Sequence, residues 1–274
     1  MTASRARRCP DCFQSLDGGQ HCPHCGFDAG AYRDASHYLP LFTPLRQGAY
    51  LTGRVLGAPG TFGIVYAGWH ASLDCPVAIK EYFPQPLAER ARGAVTVRPR
   101  GSGQDLYRRW QARFLQEARL LARFRGHAHI VDVLDVFEDH GTACLVMERL
   151  RGRSLGEHLG GVSSATGGPV LARRLSPAQA GALLDGLLAA LEALHGARPE
   201  AVFHRDLSLN NVFLANDDPA RPKLLDFGLA RTGGGPLGSL SAGAGTPGFA
   251  APEQLTDGRI TPATDLYALG GVLY

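Results

Sequence analysis

Two tight cysteine pairs lie near the start of the chain, Cys9-Pro-Asp-Cys12 and Cys22-Pro-His-Cys25, with nine residues between them. A CxxC knuckle turns two thiolates toward one point, and two knuckles complete a closed tetrahedral zinc site. Gly26, after the second pair, supplies the permissive backbone that such a turn wants. So short a segment has too little core to fold alone, and metal binding would supply its folding free energy. The rival reading is a redox dithiol, which normally sits at a helix start within a βαβ unit. No such unit is readable here. His21 and His24 lie close enough to be spare ligands but read as exposed loop residues.

A second set of residues suits phosphate chemistry. Gly57, Gly60 and Gly63 punctuate Leu56-Gly57-Ala58-Pro59-Gly60-Thr61-Phe62-Gly63. A glycine-rich turn between strands lets backbone N–H groups approach phosphate oxygens, although glycine-rich hairpins are common. Val77-Ala78-Ile79-Lys80 then ends an apolar strand on a lysine. A lysine there gains meaning only with a carboxylate to hold it, and Glu117 is the candidate. Further on come His204-Arg205-Asp206-Leu207-Ser208-Leu209-Asn210-Asn211, Asp226-Phe227-Gly228 and Thr246-Pro247-Gly248-Phe249-Ala250-Ala251-Pro252-Glu253. Chance explains their order and spacing poorly.

The elements that must position these groups read as α+β. Leu51–Leu56 and Ile64–Ala67 alternate in strand fashion, as do Ile130–Phe137 and Ala143–Met147. Residues 105–124 change period, with Trp110, Phe114, Ala118 and Leu121 at helical spacing. Pro177–His195 reads as a long helix capped by Ser176, with Pro177 in its first turn and Gly196 at its C-terminal end. Residues 160–169 read as a surface insertion. Strands with one helix followed mostly by helix suggest two unequal lobes. The expected division is a metal module over 1–30, a linker over 31–49 and a packed domain over 50–274.

Composition sets the remaining bounds. The chain has 274 residues and a net charge of +3, a balance that demands neither a nucleic-acid nor a membrane partner. No apolar run reaches transmembrane length. Met1–Arg8 lacks the apolar stretch of a secretory signal. Cys75 and Cys144 stand apart from the paired cysteines, so a disulfide framework is not expected and a reducing cytoplasm is.

The motifs over 50–274 resemble the protein-kinase signature set. Val77-Ala78-Ile79-Lys80-Glu81-Tyr82-Phe83-Pro84 is particularly similar to a group of bacterial serine/threonine kinases, and residues 1–30 resemble zinc ribbons. The resemblance implies a bilobal protein-kinase-like fold with a β-rich N-lobe and a helical C-lobe. It implies transfer of the γ-phosphate of ATP to Ser/Thr hydroxyls of protein substrates, with Mg²⁺ and a structural Zn²⁺. Gly57, Gly60 and Gly63 would line the loop over the phosphates, with Phe62 at its tip. Leu56, Val65, Ala78 and Phe213 would enclose the adenine. Met147 would precede a hinge of Glu148-Arg149-Leu150, whose backbone at Glu148 and Leu150 would bond the adenine edge. Lys80 would hold the α/β-phosphates, oriented by Glu117. Asp206 would accept the substrate proton, and Asn211 and Asp226 would hold Mg²⁺. Thr246 marks the Ser/Thr class. Ser239 and Ser241 are the preferred autophosphorylation candidates, and Arg205 is a candidate partner for a loop phosphate.

Three departures stand out. The glycine loop is one residue longer than G-x-G-x-x-G, and Pro59 removes one N–H from it. Ser208 replaces the usual lysine. The chain ends at Tyr274, so the C-lobe is expected to be incomplete after the start of its central helix, without the arginine that would pair with Glu253. A catalytically impaired nucleotide-binding scaffold, either a pseudokinase or a fragment, with a zinc-ribbon interaction module therefore stays open as a second reading. A nucleic-acid role for the ribbon lacks interleaved aromatics.

Overall fold

The computed structural model describes residues 8–16, 19–57, 63–160, 162–163, 169–170, 173–226, 231–232, 246–256 and 258–274. The chain divides into two compact units, Met1–Arg119 with Val133–Arg149, and Leu120–Asp132 with Leu150–Tyr274. Gly60, Phe62, Ser239 and Ser241 lie outside the described residues.

The first unit is built on an antiparallel sheet. Its elements run β1 (Pro44–Leu45), β2 (Tyr50–Val55), β3 (Gly63–His70), β4 (Cys75–Tyr82), the short pair β5 (Ala88–Glu89) and β6 (Arg98–Pro99), helix α1 (Gln104–Leu121), β7 (Val133–Asp139) and β8 (Thr142–Glu148). The order across the sheet is β1-β2-β3-β4-β8-β7. Period-two alternation sends one set of side chains to the core. Tyr66, Ile79 and Val146 stand in one cross-strand row, and Ile64, Glu81 and Cys144 in the next. All six are buried. From α1, Tyr107 and Leu115 join this core, two helical turns apart.

The second row contains an acid, and the sequence supplies its partner. Glu81 receives hydrogen bonds from Arg90 and from the Tyr66 hydroxyl, the latter at 3.0 Å. Arg90 also donates to the His37 carbonyl at 2.9 Å and lies over the Phe83 ring. Burial pushes the Glu81 carboxyl up, opposed by Arg90 and Tyr66. Removing either partner would strand a buried charge, at a cost of about 3–5 kcal/mol.

Residues 31–49, expected as a linker, are packed into this unit. Leu39 and Leu45 belong to the same core, each worth about 1.5–3 kcal/mol of burial. Leu39 N–H donates to the Tyr66 hydroxyl at 3.1 Å, and β1 adds an edge to the sheet. The segment is largely irregular and anchored at isolated points, so it has no period to read.

The second unit contains β9 (Gly152–Ser154), α2 (Leu155–His158), the pair β10 (Val162–Ser163) and β11 (Pro169–Val170), α3 (Pro177–His195), β12 (Val202–Phe203), β13 (Val212–Ala215), β14 (Pro222–Leu224), β15 (Arg231–Thr232), α4 (Pro252–Leu255) and α5 (Pro262–Leu273). Helix α3 begins as the sequence predicts. Ser176 accepts from Gln179 N–H, and the Gln179 side chain returns to Ser176 N–H, a reciprocal capping box. Leu183, Leu187, Ala190, Leu191 and Leu194 form its buried stripe. Gly196 ends the helix in right-handed geometry, so its left-handed freedom is not used there. The run 130–137, read as one strand, is split between the units: Ile130 pairs with Leu224, and β7 starts at Val133.

Candidate functional site

The four paired cysteines converge. Cys9 and Cys25 Sγ are 3.6 Å apart, Cys12 and Cys22 Sγ are 3.5 Å apart, and all four lie within 4.8 Å of one another. Disulfide sulfurs would stand about 2.05 Å apart, and all four are free thiols. Corners of a tetrahedron with metal–sulfur bonds of about 2.3 Å lie roughly 3.8 Å apart, so the set has the dimensions of a tetrahedral metal site. Burial opposes the Cys22 thiolate, but the His24 and Cys25 N–H groups and the neighbouring thiols outweigh it and bring Cys22 down to about 7. Burial pushes the Cys12 and Cys25 thiols the other way, up. His21 faces Asp28 at 3.2 Å, and neither histidine belongs to the sulfur cluster.

The two knuckles share one hydrogen-bond plan. Cys9 N–H donates to Gln14 O and Phe13 N–H to Cys9 O, while Cys22 N–H donates to Phe27 O and Gly26 N–H to Cys22 O, all at 2.8–2.9 Å. The first knuckle also grips the sheet. Arg54 N–H, on β2, donates to Pro10 O at 2.8 Å. Gly53 permits this approach: a Cβ there would stand 2.0 Å from the Pro10 carbonyl oxygen. Asp11 accepts from Arg54 Nε at 2.8 Å and from the Arg149 guanidinium. Burial opposes the Asp11 charge, but Arg149 and Arg54 outweigh it and hold the carboxyl below the usual carboxylate range. The Phe13 ring stacks on Trp69 at 5.6 Å and meets Phe42 edge-on at 5.9 Å.

The sheet register then locates the residues expected to meet a nucleotide. Val65 pairs with Lys80 and Lys80 with Leu145; Ala67 pairs with Ala78 and Ala78 with Met147. Cross-strand partners share a face. Val65, Ala78, Lys80 and Met147 therefore stand on one face, opposite the Tyr66–Ile79–Val146 row. The Lys80 stem passes beside Gly63, where a Cβ would lie 3.4 Å from Lys80 Cε. Gly57 has φ +67, and Leu56 packs on the Phe13–Ala67–Trp69 cluster. Glu117 accepts from Arg113 Nε at 3.0 Å. Glu148 ends β8.

In the second unit the residues of the loop 204–211 are held from several sides. Asp206 Oδ1 accepts from Thr246 Oγ1 at 2.7 Å and from Thr246 N–H at 3.0 Å. Asn211 Nδ2 donates to Asp206 Oδ2 at 3.0 Å and to the Asp206 carbonyl at 2.7 Å. His204 Nε2–H donates to Leu225 O at 3.0 Å, while His204 Nδ1 accepts from Asp206 N–H at 3.3 Å. Phe213 lies half-buried on β13 opposite Ser154, and Leu150 is half-buried after β8. Asp226 is exposed at φ +49.

Beneath this loop lies a support that sequence reasoning missed. Asp265, fully buried on α5, accepts from His204 N–H at 3.0 Å, Arg205 N–H at 2.8 Å and His195 Nε2 at 2.8 Å. Gln254 Nε2 donates to Arg205 O at 2.8 Å. The available signal was an acid in the apolar α5 run, a position that requires buried donors. Arg205, expected as a partner for a loop phosphate, is itself buried within this support. Glu253, for which an arginine was expected, accepts from Thr264 Oγ1 at 2.6 Å.

Residues 50–274 match the family described as protein kinase domain, and the chain belongs to that family. It is 33% identical over 216 residues to serine/threonine-protein kinase PknK of Mycobacterium tuberculosis, covering 78% of this chain and 16% of the relative. It is 31% identical over 234 residues to serine/threonine-protein kinase Pkn1 of Myxococcus xanthus, covering 84% and 29%. With serine/threonine-protein kinase PknL of Mycobacterium tuberculosis it shares 32% over 236 residues, covering 86% and 50%. The chain thus spans 16% to 50% of the length of these curated relatives. Among solved structures, the one described as PpkA-294 apo form matches with a TM-score of 0.69 at 30% identity, covering 87% of this chain and 78% of that one.

Proposed function

We propose that this chain is a serine/threonine protein kinase that transfers the γ-phosphate of ATP to protein hydroxyls, and that its zinc ribbon is structural. The observation that carries the reading is the double restraint on Asp206. With Thr246 on one carboxylate oxygen and Asn211 on the other, the carboxylate is held in place before a substrate arrives. Asp206 then accepts the hydroxyl proton while the new P–O bond forms and ADP leaves. Such catalysis rests on positioning and electrostatics more than on covalent work. Lys80 binds the α/β-phosphates, with Glu117 as its expected orienting partner. Asn211 and Asp226 hold Mg²⁺, which neutralises phosphate charge when bound. Leu56, Gly57, Gly60, Phe62, Gly63, Val65, Ala78, Met147, Glu148, Leu150 and Phe213 form the ATP-binding set. Cys9, Cys12, Cys22 and Cys25 hold Zn²⁺. Thr246 lies on the substrate-side segment that carries Ser239 and Ser241 as autophosphorylation sites. The domains run 1–30 for the ribbon and 50–274 for the kinase. Free thiols suit a reducing cytoplasm, and no described helix is long and apolar enough to cross a membrane.

The test is transfer of labelled γ-phosphate from Mg-ATP to the chain itself and to a generic protein acceptor, with Asp206→Asn alongside. Label on serine or threonine in the parent, lost in the variant, is the expected outcome. A folded, zinc-loaded parent that binds ATP yet transfers no label would replace this reading with the nucleotide-binding scaffold.

A further inference from the structure

The first cysteine knuckle touches the ATP-binding unit at three places that matter for nucleotide binding. Arg54, gripped through the Pro10 carbonyl and Asp11, lies three residues before Gly57 at the mouth of the glycine loop. Leu56, assigned above to the ATP-binding set, packs on the cluster that Phe13 forms with Ala67 and Trp69. Arg149 lies between Glu148 and Leu150, whose backbone groups are assigned to the adenine edge, and its guanidinium is tied to the Asp11 side chain and carbonyl. Ala67 and Trp69 also share the sheet face of Val65, Ala78 and Lys80, since Trp69 pairs with Pro76 and Ala67 with Ala78. The ribbon therefore covers one end of the face whose other end carries the proposed nucleotide residues.

Asp11 stands between two metal ligands in Cys9-Pro-Asp-Cys12. The Asp11 carboxylate meets both arginines, and a metal held by Cys9 and Cys12 would fix the backbone that carries it. We infer that Asp11 is a positioning residue for ATP binding, and that zinc occupancy sets nucleotide affinity by holding Arg54 and Arg149 through it. The inference rests on the kinase reading above. In chemical terms, the partner this device responds to is a thiophilic divalent cation, with the nucleotide as the second, coupled ligand. Coupling of this kind is reciprocal: bound nucleotide must also tighten the metal.

The experiment titrates a non-hydrolysable Mg-ATP analogue into the zinc-loaded parent, Asp11→Asn, Arg149→Gln and the double variant, each checked for one zinc per chain and an intact melting transition. Each single variant is expected to weaken binding about fivefold. The double variant is expected to be no weaker than Asp11→Asn, which already releases the Arg149 side chain from the Asp11 carboxylate along with Arg54. In turnover the loss falls on KM for ATP rather than on kcat. Parent stripped of zinc by a chelator, held below its melting temperature, shows the same loss. Folded, zinc-loaded Asp11→Asn with the affinity of the parent overturns the inference, as do additive single effects. A parent that binds no nucleotide sinks the kinase reading and this inference with it, so the two failures are distinguishable.

Discussion

Phe13 and Gly26 occupy the same position in the two cysteine knuckles, each donating its N–H to the carbonyl of the first cysteine of its pair, and each at positive φ, 61° and 75°. Glycine adopts that backbone without strain, whereas a side chain costs about 1–2 kcal/mol there. The first knuckle carries the strain because the Phe13 ring, 3% exposed, is its anchor on Trp69 and Phe42.

This inverts an ordinary ranking. Phe13→Ala should destabilise the zinc-loaded chain by about 3–5 kcal/mol. Phe13→Gly should cost about 1 kcal/mol less, although glycine is usually the worse replacement, because it also relieves the left-handed backbone. Urea unfolding of both variants decides it: a glycine variant less stable than the alanine one would show that strain at Phe13 is negligible.

Thr246 should act on turnover. Thr246→Ala deletes the 2.7 Å bond to Asp206 and keeps the one from the backbone N–H. A hydrogen bond to a charged group is worth about 1.5–3 kcal/mol, so kcat should fall about tenfold or more, with ATP affinity little changed. Thr246→Ser keeps the hydroxyl and should restore most of the rate. Steady-state kinetics of the three proteins would settle the assignment, and equal rates for alanine and threonine would remove Thr246 from the machinery.

Asp265 should matter for stability as well as rate. Asp265→Ala leaves the N–H groups of His204 and Arg205 and the His195 ring without their acceptor, a loss of about 3–5 kcal/mol. Asp265→Asn retains one acceptor oxygen and should lose less, roughly 1–3 kcal/mol. Thermal melts rank the two; a mobile 204–211 loop in the folded asparagine variant would appear as faster amide exchange at residues 204–206.

The pH profile of stability has a sign that His37 helps to set. Burial, then the charge of Arg90, hold its imidazole below the ordinary value of 6.5. Its Nε2 is buried with no hydrogen-bond partner among the described residues. The unfolded chain therefore takes up the proton first, and stability falls as pH drops below 6.5 toward the folded value. His37→Phe keeps the stacking on Phe83 and removes the titration. Between about pH 7.5 and about pH 5.5 the parent should lose more unfolding free energy than this variant, and parallel losses would assign the effect elsewhere. His127, held down by burial and by His129 and Lys223, is common to both and cancels.

Motifs whose chemistry fixes both residue type and spacing were legible in the sequence. The four cysteines that converge are the four paired in sequence, and α3 runs from Pro177 to His195 because its cap, first-turn proline and apolar stripe agree. Asp265 and Gln254 were missed because their partners, backbone groups and the His195 ring, are brought close only by the fold. Residues 31–49 were misjudged for a related reason: Leu39 is held by Tyr66, far along the chain, and irregular packing leaves no periodic trace. Glu81 and Arg90 could have been paired on the principle that an acid in an apolar strand needs a cation, but nothing local fixed which one.

The docking of Phe13 has a practical side. The kinase match begins at residue 50, and a recombinant domain trimmed at that border would lack the ribbon, Leu39 and β1. Trp69, Ala67, Leu51 and the flank of Tyr66 would then face solvent, and β2 would become an open sheet edge. Exposed aromatic surface beside an unpaired strand is a recipe for self-association. Poor solubility of such a trimmed protein would reflect where it was cut rather than an intrinsic defect of the domain.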